Sequence, residues 1–137
     1  MLIFLFSKEK IPAQFKDKIL VPFCVESALS GVMQKVEAEQ VMVYQRKFEV
    51  KKSWRNKKIK LMFEAVDYEA TVYVNDVEVG SHKGGTSNMS NHEHCVLLYL
   101  IGYDAFSFDI TKHLNDQTEQ IIKVLVTDPT EKQVCQF

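Results

Sequence analysis

Cysteine is scarce in this chain: Cys24, Cys95 and Cys135 are an odd number with wide, irregular spacing. They describe no disulfide framework, and a zinc site needs ligands closer together than these. No stretch approaches the roughly 20 consecutive apolar residues of a membrane-spanning helix. The opening Met1–Phe6 is apolar but gives way at once to Ser7-Lys8-Glu9-Lys10. A secretory signal needs a basic start, an apolar stretch of about 7–15 residues and a small-residue cleavage site. The first and third are missing, so nothing here supports export, and the sequence does not name the compartment. An excess of one charge is lacking too, since 17 Lys and Arg stand against 18 Asp and Glu for a formal charge of −1. That balance offers no electrostatic reason to expect nucleic acid or an anionic membrane as partner.

What remains is the composition of a soluble globular domain, 46% apolar and 26% charged over 137 residues. That length suits one domain with an ordinary core. Its patterning runs in twos. Val41, Val43, Gln45, Lys47 and Glu49 alternate with Met42, Tyr44, Arg46, Phe48 and Val50, and residues 59–66 form a second half-buried run. Ala70–Val74, then Asn75-Asp76, then Val77–Gly80 reads as a tight hairpin, because Asn and Asp tolerate the positive φ of a two-residue loop. Further strands are expected over 105–110 and 120–127. Helical periodicity is weak: Gly31 interrupts residues 25–39, leaving room for a turn or two of helix in a mostly irregular segment. Several short strands separated by turn signals predict an all-β fold, an antiparallel β-sandwich of the jelly-roll, galactose-binding-domain-like kind.

One run invites a binding role. Lys51, Lys52, Arg55, Lys57, Lys58 and Lys60 surround Trp54, and basic residues about an aromatic can hold a single-stranded nucleic acid. Its position between two strand patterns favours a solvated loop instead.

Family resemblance enters with blocks in order. Residues 19–32, reading ILVPFCVESALSGV, resemble the beginning of the N-terminal sugar-binding domain of family 2 glycoside hydrolases. Tyr44–Val50 with Trp54, residues 63–75, residues 79–85, residues 103–111 and Asp128-Pro129-Thr130 follow in the family's order. The resemblance implies kinship with β-galactosidases and β-glucuronidases, in which a jelly-roll domain packs against a catalytic barrel. Catalysis there uses two carboxylates about 5 Å apart, both on a barrel that needs some 250 residues. Accordingly Glu26, Asp67, Asp104 and Asp109, which fall in blocks of the non-catalytic domain, are expected to be turn formers, strand ends or supporting contacts. No catalytic residue, cofactor or metal ligand is assigned. Loops at the end of such a sandwich can reach a sugar held by the barrel. The candidate substrate-binding residues on those loops are Glu26, Asp67, Tyr68, His82, Tyr103 and Asp104. Expected partners are a carbohydrate and the parent enzyme's catalytic barrel, with neither nucleic acid nor membrane.

The chain departs from the family pattern at one place above all. Residues 86–102 stand between Gly84-Gly85 and Tyr103-Asp104, which the family joins directly. This insertion is polar first and apolar later, and its run Val96–Ile101 would be awkward in a surface loop. It is expected to be translated intron sequence, which the mature transcript would decide. His92, His94 and Cys95 within it lack an evident third metal ligand. Residues 1–18 are expected to be an unmatched leader, 19–130 the sandwich domain and 131–137 a tail. The sandwich is expected to be incomplete and marginally stable. Two other readings stay open: a stand-alone carbohydrate-binding module using Trp54, Tyr68, Tyr73 or Tyr103 as stacking platforms, and an interaction domain with no affinity for sugar.

Overall fold

The computed structural model describes residues 1–7, 15, 17–37, 40–64, 66–84, 94–98 and 105–128, with 2–7 and 94–98 followed along the backbone. Among the described residues strands carry the fold, apart from three 3₁₀ turns at Ala28–Ser30, Lys52–Trp54 and Thr111–His113. In chain order they are β1 (Leu2–Ser7), β2 (Asp17–Lys18), β3 (Gln40–Glu49), β4 (Ile59–Phe63), β5 (Glu69–Val74), β6 (Val77–Lys83), β7 (His94–Leu98), β8 (Phe106–Asp109) and β9 (Glu119–Thr127). They form two sheets, one of six strands in the order β2-β1-β3-β9-β5-β6 and one of three in the order β7-β4-β8. Every pairing in the larger sheet is antiparallel. The all-β sandwich that the alternation predicts is therefore the observed architecture.

Period two fills the space between the sheets. Ile122, Val124 and Val126 of β9 and Ala70, Val72 and Val74 of β5 are buried on one side. They form one cluster with Ile59, Leu61 and Phe63 of β4 and Phe106 of β8. Complete burial of an aliphatic or phenyl side chain of this size contributes about 1.5–3 kcal/mol. In β3 the residues turned to this core are Tyr44 and Phe48, with Met42 partly buried against it. Val41 and Val43 are buried as well but stand outside the cluster, as alternation requires of their odd positions. Gly80 of β6 lies where the sheets approach closely, since a Cβ there would come 2.7 Å from Phe108 Cε1. Only a hydrogen fits in that gap.

Two features go beyond the sequence reading. The short apolar start is β1, paired with β3 from Leu2↔Gln45 to Ser7↔Gln40. The backbone of His94–Leu98, inside the insertion, runs parallel to β4 from Ile59↔His94 to Phe63↔Leu98. The segment 25–39 holds a single 3₁₀ turn among its described residues, in line with its interruption at Gly31.

Candidate functional site

Strand register defines one end of the sandwich. Val41 near the start of β3 lies opposite Thr127 at the close of β9, and Thr127 lies opposite Glu69 at the start of β5. Glu69 in turn faces Lys83 at the close of β6. In the smaller sheet Phe63, which ends β4, pairs with Phe106, which begins β8. The sheets meet at this end through an aromatic column: Phe63 stacks on Phe106 at 4.7 Å between centroids, and the His82 imidazole stacks on Phe106 at 4.0 Å and 17°. Phe108 meets Phe106 edge-on at 5.6 Å.

Asp67, Tyr68 and His82 are brought together here. The Tyr68 amide donates to the Thr127 carbonyl at 3.4 Å, and the Gly84 amide donates to the Tyr68 carbonyl at 2.9 Å. Held between the ends of β9 and β6, Tyr68 remains 41% exposed. Gly84 lies beneath its ring, where an added Cβ would sit 3.4 Å from Tyr68 Cδ2. Asp67 is half-buried and is joined to Tyr68 by a cis peptide bond. The Glu69–Lys83 ion pair, 3.2 Å apart, spans the neighbouring position of the hairpin.

His82 is less exposed than its place in a polar segment suggests. Its Nε2 is shielded from solvent and has no hydrogen-bond partner among the described residues. Strand alternation accounts for this: His82 follows Gly80 by two, and Gly80 faces Phe108, so both turn toward the other sheet. Glu26 behaves differently. Its Oε1 accepts from the Val36 amide at 3.2 Å, so the carboxylate ties together the two sides of the loop over 25–37 that leads into β3. Tyr103 and Asp104 lie outside the described residues, as do residues 86–93 and 99–102 of the insertion.

The opposite end is built for stability. The basic run of residues 51–60 is a loop, with Lys51, Lys52, Arg55, Lys57 and Lys58 exposed. Trp54 packs partly buried against the core, and Lys51 Nζ stands 5.3 Å from the centre of its ring. Arg55 bonds to the Asp116 carbonyl. An indole occupied in this way is a poor platform for a base or a sugar. Tyr73 is half-buried, and its hydroxyl lies 3.3 Å from Glu78 Oε2. Burial, and then Glu78, raise the Tyr73 pKa above the ordinary phenol value. Of the four aromatic platforms considered, Tyr68 is the one displayed to solvent among the described residues.

The arrangement supports recognition chemistry. An exposed phenol ring can lie against the apolar face of a sugar, and a neighbouring carboxylate can accept from its hydroxyls. Among the described residues no group of three His, Cys, Asp or Glu side chains is placed to hold a metal.

Comparison with known proteins meets this geometry. The family model described as "Glycosyl hydrolases family 2, sugar binding domain" matches residues 11–134. A β-galactosidase of Thermoanaerobacter pseudethanolicus is 33% identical over 92 residues, covering 66% of this chain and 10% of that protein. Among solved structures, a calcium-binding mutant of Bacteroides uniformis β-glucuronidase 2 superposes with a TM-score of 0.51 at 29% identity, over 66% of this chain and 9% of its own. Lactobacillus rhamnosus β-glucuronidase does so with a TM-score of 0.50 at 25% identity, over 64% and 12%. The chain thus spans about a tenth of the length of these relatives.

Proposed function

Because the chain belongs to the sugar-binding-domain family of family 2 glycosyl hydrolases, we propose that it is the non-catalytic, carbohydrate-contacting part of such an enzyme. Its task is to hold a terminal sugar for a catalytic barrel, not to break the glycosidic bond. The observation that carries this reading is the gathering of Asp67 and exposed Tyr68 at one end of the sandwich, above the Phe63–Phe106–His82 column. Tyr68 supplies a stacking face and Asp67 a hydrogen-bond acceptor. The column beneath them keeps the two sheets in fixed relation. The β-galactosidase and β-glucuronidase relatives suggest a terminal β-linked galactose or glucuronic acid as the sugar class.

Orientation is the contribution such a domain makes. Holding a reactant in an attack-ready geometry removes translational and rotational freedom before the chemical step. A contact from this end therefore lowers the barrier without any proton transfer by the domain itself. Glu26, Tyr103 and Asp104 remain candidates for the same surface, Glu26 through the loop it braces.

The test is affinity electrophoresis of the chain through gels containing galactan or glucuronan, with Asp67→Asn and Tyr68→Ala as comparisons. Retardation that falls in both variants supports the reading, and absence of catalytic turnover by the chain accompanies it. Migration unaffected by either polysaccharide would reject sugar contact by this domain alone and favour an interaction domain. The exposed Tyr68 ring favours a second reading in part, that the domain retains sugar as a stand-alone module; strong retardation without any barrel present would support that.

A further inference from the structure

One pocket lies apart from the Asp67–Tyr68 end, and its walls are cationic. It measures about 280 Å³ and is lined by Met1, Lys18, Gln45, Arg46 and Lys47. Strand register builds it. Leu2 of β1 pairs with Lys18 of β2 on one side and with Gln45 of β3 on the other. Residues directly opposite one another share a sheet face, and neighbouring strands stand about 4.8 Å apart, so Lys18 and Gln45 occupy one row about 10 Å across. Arg46 and Lys47 follow Gln45 in β3. The Ile19 amide donates to the Met1 carbonyl at 2.8 Å, which fixes the segment bearing Lys18 beside β1. Val41, at the Tyr68 end of β3, is separated from Arg46 by roughly 17 Å of strand.

The charges around this pocket are unequally spent. Lys47 Nζ meets Glu119 Oε1 at 2.8 Å. Lys123, opposite Gln45 on β9, is held by Asp76 at 2.5 Å. Lys18 and Arg46 are exposed and enter no ion pair among the described residues. Asp17 precedes Lys18, but alternation turns it to the other face. Glu49 stands opposite Glu119, at the close of β3. Past it, residues 50–63 hold six Lys or Arg and no acidic residue, so the chain leaving β3 adds only positive charge. Two cations at one concavity repel each other, and an anion between them turns that repulsion into attraction.

We propose that this pocket binds a hydroxylated organic anion of monosaccharide size, with its carboxylate or phosphate ester held between Arg46 and Lys18. A guanidinium presents a planar fork that matches two oxygens of either group, and an ammonium adds a point charge. The Gln45 amide offers a donor and an acceptor to a hydroxyl of the same molecule. Met1 and the alkyl stems of the cations supply apolar wall. Ligand sites run from roughly 300 Å³ upward, so a pocket of this volume suits a single small molecule and not a polymer. It is separate from the Tyr68 contact, and neither needs the other.

The test is isothermal titration calorimetry of the whole chain with sodium glucuronate, with inorganic phosphate and, as the uncharged control, with glucose. Saturable binding of at least one anion at millimolar concentration is expected, and none of glucose. Whichever anion binds more tightly assigns the group as carboxylate or phosphate. Affinity should fall as sodium chloride rises, because the contacts are charge pairs close to solvent. Arg46→Gln and Lys18→Gln should each weaken binding about tenfold or more, with the melting temperature unchanged because both side chains are exposed. Glu119→Gln is the variant whose effect misfolding cannot imitate: it frees Lys47 and should tighten binding about two- to fivefold. Asp67→Asn and Tyr68→Ala should leave anion affinity unaltered. No saturable binding of either anion, equal binding of glucose, or affinity unchanged in both Arg46→Gln and Lys18→Gln overturns the proposal. So does anion binding abolished by Tyr68→Ala, which would move the anion to the other end of the sandwich. Retardation in polysaccharide gels is read separately: anion binding absent with retardation intact fails the pocket alone, and the converse fails the sugar-contact reading alone.

Discussion

Asn75 and Gln120 lock the hairpin turn to the central strand: Asn75 Nδ2 donates to Gln120 Oε1 at 2.7 Å. Asn75 Oδ1 also accepts from the Ile121 amide at 3.1 Å, and Nδ2 donates to the His113 carbonyl at 2.9 Å. Gln120 is 0% exposed. Its Oε1 accepts from the Asn115 amide at 2.9 Å, and its Nε2 donates to Asn115 Oδ1 at 2.7 Å and to the Gln117 carbonyl. Removing one member leaves buried donors and acceptors without partners, each costing about 1–3 kcal/mol. Gln120→Ala is expected to lower stability by about 2–4 kcal/mol in urea unfolding. A loss below about 1 kcal/mol would show that water replaces the side chain.

The hairpin offers a sharper contrast. Asn75 and Asp76 have φ of 51° and 66°, so glycine suits both positions in backbone terms. Asp76 makes an exposed ion pair with Lys123, of a kind worth little, whereas Asn75 anchors the buried network. Asp76→Gly should therefore stay within about 0.5 kcal/mol of the parent. Asn75→Gly should lose about 1–3 kcal/mol despite fitting the turn. Similar effects from both substitutions would mean that turn geometry, not the side-chain network, dominates.

At Gly80 the constraint is space. A methyl group there would meet Phe108 Cε1 at 2.7 Å, inside any normal carbon contact. Gly80→Ala should cost about 1–3 kcal/mol by overpacking. Combining it with Phe108→Leu should recover part of that loss, which a double-mutant cycle measures. Strict additivity would place the strain elsewhere.

Acid sensitivity follows from Asp109. Its carboxylate accepts from the Thr111 amide at 3.0 Å. Hydrogen bonds from Thr111, with smaller help from Lys58 and Lys112, hold its pKa below the usual carboxylate value. A depressed folded pKa means the contribution is complete above the unfolded value of about 3.9 and disappears as pH falls through the folded one. Melting temperature should therefore drop below about pH 4 more steeply in the parent than in Asp109→Asn. Parallel curves would remove Asp109 from the acid response.

The elements that were legible from sequence share one trait, local periodicity. The hairpin at Asn75-Asp76 was announced by two β-branched runs and two residues tolerant of positive φ, and β9 by strict alternation over 120–127. β1 was not, because six apolar residues in a row carry no period that distinguishes a strand from a short leader. The pairing of His94–Leu98 with β4 was equally hidden, since a parallel partner leaves no turn signal between the two strands. At the candidate site the polar and aromatic character of Asp67, Tyr68 and His82 was readable. That His82 lies flat on Phe106 while Tyr68 faces solvent was not, because each depends on a residue more than ten positions away.

By itself the sequence determined the β class, the hairpin, the burial pattern of the central strands and the order of family blocks, all of which are written in neighbours two residues apart or in contiguous motifs. Tertiary structure alone decided which strands stand side by side, that Trp54 is spent on the core, that Glu26 braces its own loop, and that Lys18 and Arg46 line one pocket. Those outcomes are set by contacts between distant segments, where packing volume and the satisfaction of buried hydrogen bonds choose among arrangements that local pattern leaves equal.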